Sequence, residues 1–176
     1  VVTMPLGGIS AGTGTILAYN YGARRRDRIL KAQGFIAILC VAYVTALFLL
    51  SRLGGGLFVA LFTTEPALAA EALDAIHVCT LAIIPLGIQY AIVDGFTGMG
   101  KVQVSLPLSA FRKAVYFIAL FALPAAFGAR ATFYAEPISD ILGPIVSIAV
   151  YALAIRRILN FPPSPPAGEG KAPLPS

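Results

Sequence analysis

Twenty-three residues pass before the first charged side chain, and then Arg24, Arg25, Arg26, Arg28 and Lys31 arrive within eight positions. An uncharged run of that length matches the ~20 helical residues needed to cross the hydrocarbon core of a bilayer. A cationic cluster directly after it resists translocation and marks the cytoplasmic side. Within the run, Gly8 and Gly12, and Ser10 and Gly14, recur four apart. That is the small-xxx-small spacing by which helices approach closely in lipid. Between run and cluster, Asn20, Tyr21, Gly22 and Ala23 form a helix-end motif in which Gly22 is expected to take the left-handed C-cap conformation.

The rest of the chain repeats this alternation. With 58% apolar and 12% charged side chains and a mean hydropathy of +0.84, it lies far from soluble domains, which run near 45–50% apolar and about 25% charged. The pattern predicts an all-α integral membrane bundle of about five transmembrane helices, with spans about 1–19, 34–53, 72–99, 106–127 and 131–155. The transmembrane unit covers 1–157, and the Pro-rich residues 158–176 read as a disordered cytoplasmic tail. Gly54-Gly55-Gly56 is expected to end the second span, leaving Leu57 to Phe62 as a turn in the interface. Thr64 is placed to cap a helix opened by Pro66, and Pro85 and Gly87 to bend the third span.

Alternating sides from the Arg24 cluster puts eleven of the thirteen basic residues at or near the cytoplasmic face, with only Arg52 and Arg130 outside. Such an asymmetry supports both the span count and the orientation. The net charge of +5 therefore reads as topology signal and headgroup contact, and nucleic acid is not an expected partner. Cys40 and Cys79 fall inside apolar runs, where they serve as small hydrophobes. With one histidine there is no metal-ligand cluster, and no cofactor is expected. The chain opens within an apolar segment and has no signal-peptide pattern, so it is expected to be part of something longer.

Four pieces, in order along the chain, carry a family resemblance: PLGGISAGTGTILAYNYGARRRDR (Pro5 to Arg28), GMGK (Gly98 to Lys101), FRK (Phe111 to Lys113) and AEPISD (Ala135 to Asp140). Together they resemble the second half of the multidrug and toxic compound extrusion (MATE) transporters. The resemblance implies a twelve-helix fold in two six-helix lobes, a substrate cleft between the lobes, and exchange of drug for protons or sodium. It would make this chain most of the second lobe, its spans being the eighth to twelfth helices, with an N-terminal lobe as the missing partner. The sodium-coupled branch has an acidic residue near the middle of the helix matching the third span. This sequence has Pro85, Gly87 and Gln89 there, so proton coupling is favoured over sodium.

Charges inside a span are costly enough to be read first as functional. Asp94 and Arg112 each lie about nine residues from the turn near Val102-Gln103, roughly 13 Å along antiparallel helices. An Asp94–Arg112 or Asp94–Lys113 ion pair is therefore expected to hold the third and fourth spans in register. Glu136 and Asp140, four apart, share a helix face in the outer half of the membrane, and Pro137 between them is expected to free a carbonyl there. Asp140, Glu136, Gln89 and Tyr90 are the candidates for the substrate or cation pathway, with Tyr43, Tyr116 and Tyr134 as candidate aromatic walls. His77 reads as an interface residue.

These features predict a multidrug efflux secondary transporter: a cation-coupled antiporter exporting lipophilic, often cationic drugs or toxins across a bacterial inner membrane, multi-pass, with its C-terminus cytoplasmic. Alternatives are a related flippase for lipid-linked sugars, or an inactive truncated fragment. An intramembrane aspartyl enzyme is disfavoured, because Asp94 near the inside and Asp140 in the outer half should not meet as a dyad. No catalytic residue is assigned.

Overall fold

A computed structural model of the chain describes residues 3–160; the tail proper, 161–176, and Val1 and Val2 lie outside the described residues. Every element among the described residues is helical. The order is α1 (Thr3–Gly12), α2 (Gly14–Gly22), α3 (Arg26–Ala60), α4 (Pro66–Cys79), α5 (Ile83–Gly98), α6 (Val102–Phe127), a 3-10 turn (Ala129–Tyr134) and α7 (Ala135–Ile158).

Three stretches are long and apolar enough to cross a membrane: α3, α6, and the 3-10 turn with α7. A fourth is the α4–α5 pair, if its two helices, bent by 45°, form one span. The first apolar run is not one unbroken helix. Thr13 returns its hydroxyl to the carbonyls of Ile9 and Ser10 at 3.0 and 2.8 Å, a bond that competes with the helix ladder, and α1 gives way there to α2. The apolar stretches are barely covered, with only 11% of the α6 window and 17% of the α3 window buried. Leu53, Leu57, Phe121 and Leu153 are each at least 75% exposed. A soluble fold would hide such side chains; lipid is the solvent that suits them.

Several local expectations are corrected. Gly54-Gly55-Gly56 does not end the second span, because α3 continues to Ala60; helical continuity costs about 1 kcal/mol per glycine, too little to stop an apolar helix in lipid. The N-cap of α4 is Glu65 rather than Thr64, in an extended conformation, with Pro66 opening the helix. The bend in the third span falls at Thr80–Ala82, ahead of Pro85. A proline ring clashes with the carbonyl four residues earlier, here Leu81, so the helix breaks before Pro85 and restarts with it in the first turn of α5. Gly22 is still helical, and the left-handed residue is Arg24, at φ 55°. Arg25 N–H to Asn20 O and Arg24 N–H to Tyr21 O, both 3.0 Å, close the helix end in a Schellman arrangement.

The hub of the bundle is α5. Gly87, Ala91 and Gly95 recur four apart on it and form a flat ridge against α3. A Cβ at Gly87 would lie 2.8 Å from Val44 Cγ2 and 3.3 Å from the Cys40 carbonyl. Gln33 of α3 lies against Gly95 and donates from Nε2 to Ala91 O at 2.6 Å. On another side, a Cβ at Gly98 would come within 2.9 Å of Gly14 Cα, so α2 and α5 cross backbone on backbone. Of the two spaced pairs in the first run, Ser10 and Gly14 meet α5, while a Cβ at Gly8 or Gly12 would meet nothing within 4 Å. Phe96 packs on Tyr151 of α7, ring centroids 5.6 Å apart. Lys101, in the α5–α6 turn, lies 5.2 Å over the Tyr21 ring, which brings two of the basic helix ends together.

A side chain at the Gly98 crossing has nowhere to go. Gly98→Ala is expected to lower stability in detergent by about 1–3 kcal/mol through overpacking. Gly56→Ala, where a Cβ meets open space, is expected to be neutral or slightly stabilising. Thermal unfolding of the two purified variants checks both.

Candidate functional site

Polar side chains from α1, α5, α6 and α7 converge in one layer of the apolar bundle. A cavity of about 110 Å³ is lined by Gln89, Tyr90, Val93 and Asp94 of α5 and by Ser109 and Arg112 of α6. Behind Arg112 stands α7: Arg112 Nη1 donates to Asp140 Oδ1 at 3.1 Å, and Asp140 is 2% exposed. Ser139, fully buried, also reaches Asp140 Oδ1 at 3.4 Å. On the opposite side, the Ser10 hydroxyl of α1 donates to Asp94 Oδ2. The Arg112 guanidinium lies 6.0 Å from the Tyr90 ring centroid, at the outer reach of a cation–π contact.

Four of the sequence candidates, Gln89, Tyr90, Asp94 and Arg112, thus share one cavity, and Asp140 joins it through Arg112. The expected Asp94–Arg112 and Asp94–Lys113 ion pairs are not formed. Arg112 faces α7 as well as α5 and takes the more deeply buried carboxylate, which has more to gain from a counter-ion; Asp94 is held by Ser10 instead. Lys113, one residue on, points out of the bundle, 5.9 Å over the Tyr116 ring. Glu136 shares its side of the helix with Asp140 in spacing only, for it is exposed where Asp140 is buried. Pro137 sits in the first turn of α7 and starts the helix rather than kinking it. The carbonyl four residues before it, Phe133 O, lies 3.8 Å from Cys79 Sγ.

Asn20, Tyr21, Gly22 and Ala23 lie at the end of α2, away from the cavity, and serve to close that helix. His77 lies between α4 and α3, its carbonyl accepting from Arg52 Nη2 at 3.0 Å. With Tyr134 it lines a separate, wider cavity of about 350 Å³, beside an exposed Arg130–Glu71 pair of 3.4 Å. Tyr43 and Tyr116 line neither. Among the described residues no group of three His, Cys, Asp or Glu side chains could hold a metal ion.

Sequence reasoning passed over Ser10, Ser109 and Gly143. A Cβ at Gly143 would lie 2.6 Å from Gln89 Oε1 and 3.0 Å from Arg112 Cγ, so this glycine is what lets the ion pair and Gln89 close against α7. Asp140, Gly143 and Ser147, spaced three and four apart, mark that face, and the spacing alone would have found it.

A family model for MatE matches residues 1–120. The chain belongs to the MATE family. Its fold is that of solved MATE transporters. The MATE multidrug transporter DinF-BH, solved with a bound drug, superposes with a TM-score of 0.82 at 24% identity, covering 92% of this chain and 36% of that one. An inward-facing multidrug resistance MATE family transporter of the MOP superfamily gives 0.76 at 16%, covering 89% and 37%. The bent form of the Vibrio cholerae MATE transporter VcmN gives 0.71 at 19%, covering 81% and 33%. The chain therefore spans little more than a third of the length of these transporters. No curated protein sequence matches it. As a MATE chain it is an integral membrane protein of a transporter family, and the ion pair between α6 and α7 lies inside its membrane-embedded part.

Removing one partner of a buried pair strands the other. Arg112→Met is expected to cost about 3–5 kcal/mol, and Arg112→Met with Asp140→Leu to recover most of it, since well-packed apolar side chains replace such pairs at little loss. Thermal unfolding in detergent of the single and double variants measures both.

Proposed function

We propose that the chain forms most of the second lobe of a cation-coupled exporter, one that carries lipophilic, often cationic, compounds out across a bacterial inner membrane. The observation that carries this reading is the cavity lined by Gln89, Tyr90, Asp94, Ser109 and Arg112, with Asp140 behind it. Ionisable groups are expensive in a membrane interior and mark ion or substrate paths. Three of them here come from three different helices, so a displacement between helices changes which charges face one another. At about 110 Å³ the cavity suits protons and water rather than a drug-sized molecule. The cavity is thus a coupling site, and the drug itself would be held in the cleft between this lobe and a further one, worked by rocking of the two.

Proton coupling is favoured over sodium. Asp140 already has a tethered counter-ion in Arg112, and a proton on the carboxylate would cancel that pairing without a coordination shell. The Arg24 cluster, Lys101 and the Arg156–Arg157 end of α7 face the cytoplasm in this reading, and the C-terminus with them. Extrusion of drug-like compounds fits the solved relative that carries a bound drug. The chemistry is transport without catalysis.

The test is resistance. Expressed in an efflux-deficient bacterium, the full-length gene is expected to raise the inhibitory concentration of lipophilic cations. A protonophore should abolish dye export, and replacing sodium should leave it unchanged. Asp140→Asn is expected to reduce resistance to the empty-vector level at unchanged expression. Unaltered resistance in that variant would remove Asp140 from the coupling path, and sodium dependence would remove proton coupling.

A further inference from the structure

Arg112 stands between two carboxylates. Its stem is fixed: the Gly143 backbone packs so closely that a Cβ there would lie 3.0 Å from Arg112 Cγ. Its head has room. It bonds to Asp140 at 3.1 Å on one side and borders the cavity of about 110 Å³ on the other, and Asp94 lines that same cavity. Such a volume holds a few waters, enough space for a guanidinium to swing on a fixed stem. Tyr90, one helical turn from Asp94 on the same face of α5, lies beneath the guanidinium and within electrostatic reach of Asp94, Asp140 and Arg112 alike. Gln89 is 2% exposed, lines the cavity, and has an Oε1 with no hydrogen-bond partner among the described residues. It offers an acceptor along the route.

The geometry points to Arg112 as a shared counter-ion that exchanges between Asp140 of α7 and Asp94 of α5 across this cavity. A monovalent cation that takes Asp140, a proton included, passes the guanidinium to Asp94. Asp94 then releases the Ser10 hydroxyl, and α1 loses its polar tie to α5. Charge at α7 is thereby converted into a change of helix contact at α1. The other titratable groups near these carboxylates are Glu136 and Cys79 on the Asp140 side and Cys40 on the Asp94 side. None of them is a cation that would compete with Arg112. The exchange depends on the exporter reading only for its role in transport, since the movement itself is a property of the fold.

A double-mutant cycle on Asp140→Asn and Asp94→Asn in the full-length protein, read as unfolding rate in detergent, tests it. Each single variant still leaves Arg112 one carboxylate and is expected to speed unfolding by about threefold or less. The double variant leaves none and is expected to exceed the product of the singles by about 30-fold. A multiplicative cycle, or an Asp140→Asn variant that alone carries the full loss, overturns the exchange. Should the double variant not fold, solid-state NMR of the Asp140→Asn protein decides: a correlation between the Arg112 guanidinium nitrogens and the Asp94 carboxyl carbon is expected, and its absence overturns the proposal. Resistance that persists beside a multiplicative cycle would remove the exchange and keep the exporter. A strongly non-multiplicative cycle without resistance would do the reverse.

Discussion

Close approach at α5 is the constraint from which the rest of the structure follows. Without a hydrophobic effect between helices in lipid, association relies on packing and interhelical hydrogen bonds, and both need backbones near one another. Gly87, Ala91 and Gly95 provide this toward α3, and Gly98 toward α2. Once those contacts fix α5, its remaining faces are assigned: Asp94 lies against Ser10, Phe96 against Tyr151, and Gln89 against the Gly143 backbone. The polar layer is a consequence of that geometry, because Asp94 sits one position away from Gly95, the glycine that admits a neighbour.

The same layer shows how a lobe this apolar tolerates ionisable groups. Asp140 is buried with a guanidinium and a serine hydroxyl on one oxygen, which offsets much of its desolvation. Asp94, half-buried, makes do with a hydroxyl. Gln33 satisfies its amide nitrogen on Ala91 O yet leaves Oε1 without a partner, and Ser147 Oγ is likewise unpartnered among the described residues. Interhelical hydrogen bonds in membranes average only about 0.6 kcal/mol, so such a layer contributes more to register than to stability. It lies in the part of the bundle where helices must be able to shift if the protein is to work as a transporter.

Much of this is legible in the sequence. Apolar length and the clustering of arginines give helices and their rough ends, because the bilayer tolerates little else. The NYGA and GMGK segments point to the MATE family, and the structure packs Lys101 of one over Tyr21 of the other. The cavity residues Gln89, Tyr90, Asp94 and Arg112 are each polar groups inside a span, and that criterion finds them. What it misses is pairing. Depth counting puts Asp94 and Arg112 at one level and makes them partners, yet it cannot say that α7 also lies at that level with a better-buried carboxylate. The helix breaks are misplaced for a related reason: proline acts on the turn before it, and consecutive glycines in lipid do not stop a helix. The glycine-rich first run is the conspicuous packing stripe, whereas the more extensive one runs along α5, where it is interleaved with large side chains and harder to see.

The register of α1 on α5 is open to direct measurement. With Cys40→Ala and Cys79→Ala to remove the native thiols, Ser10→Cys and Asp94→Cys in the full-length protein are expected to form a disulfide in native membranes under mild oxidation. Moving the first cysteine to Gly8, whose Cβ position faces open space, should abolish the bond. Cross-linking from position 8 but not from position 10 would contradict the packing described for α5 and the polar layer built on it.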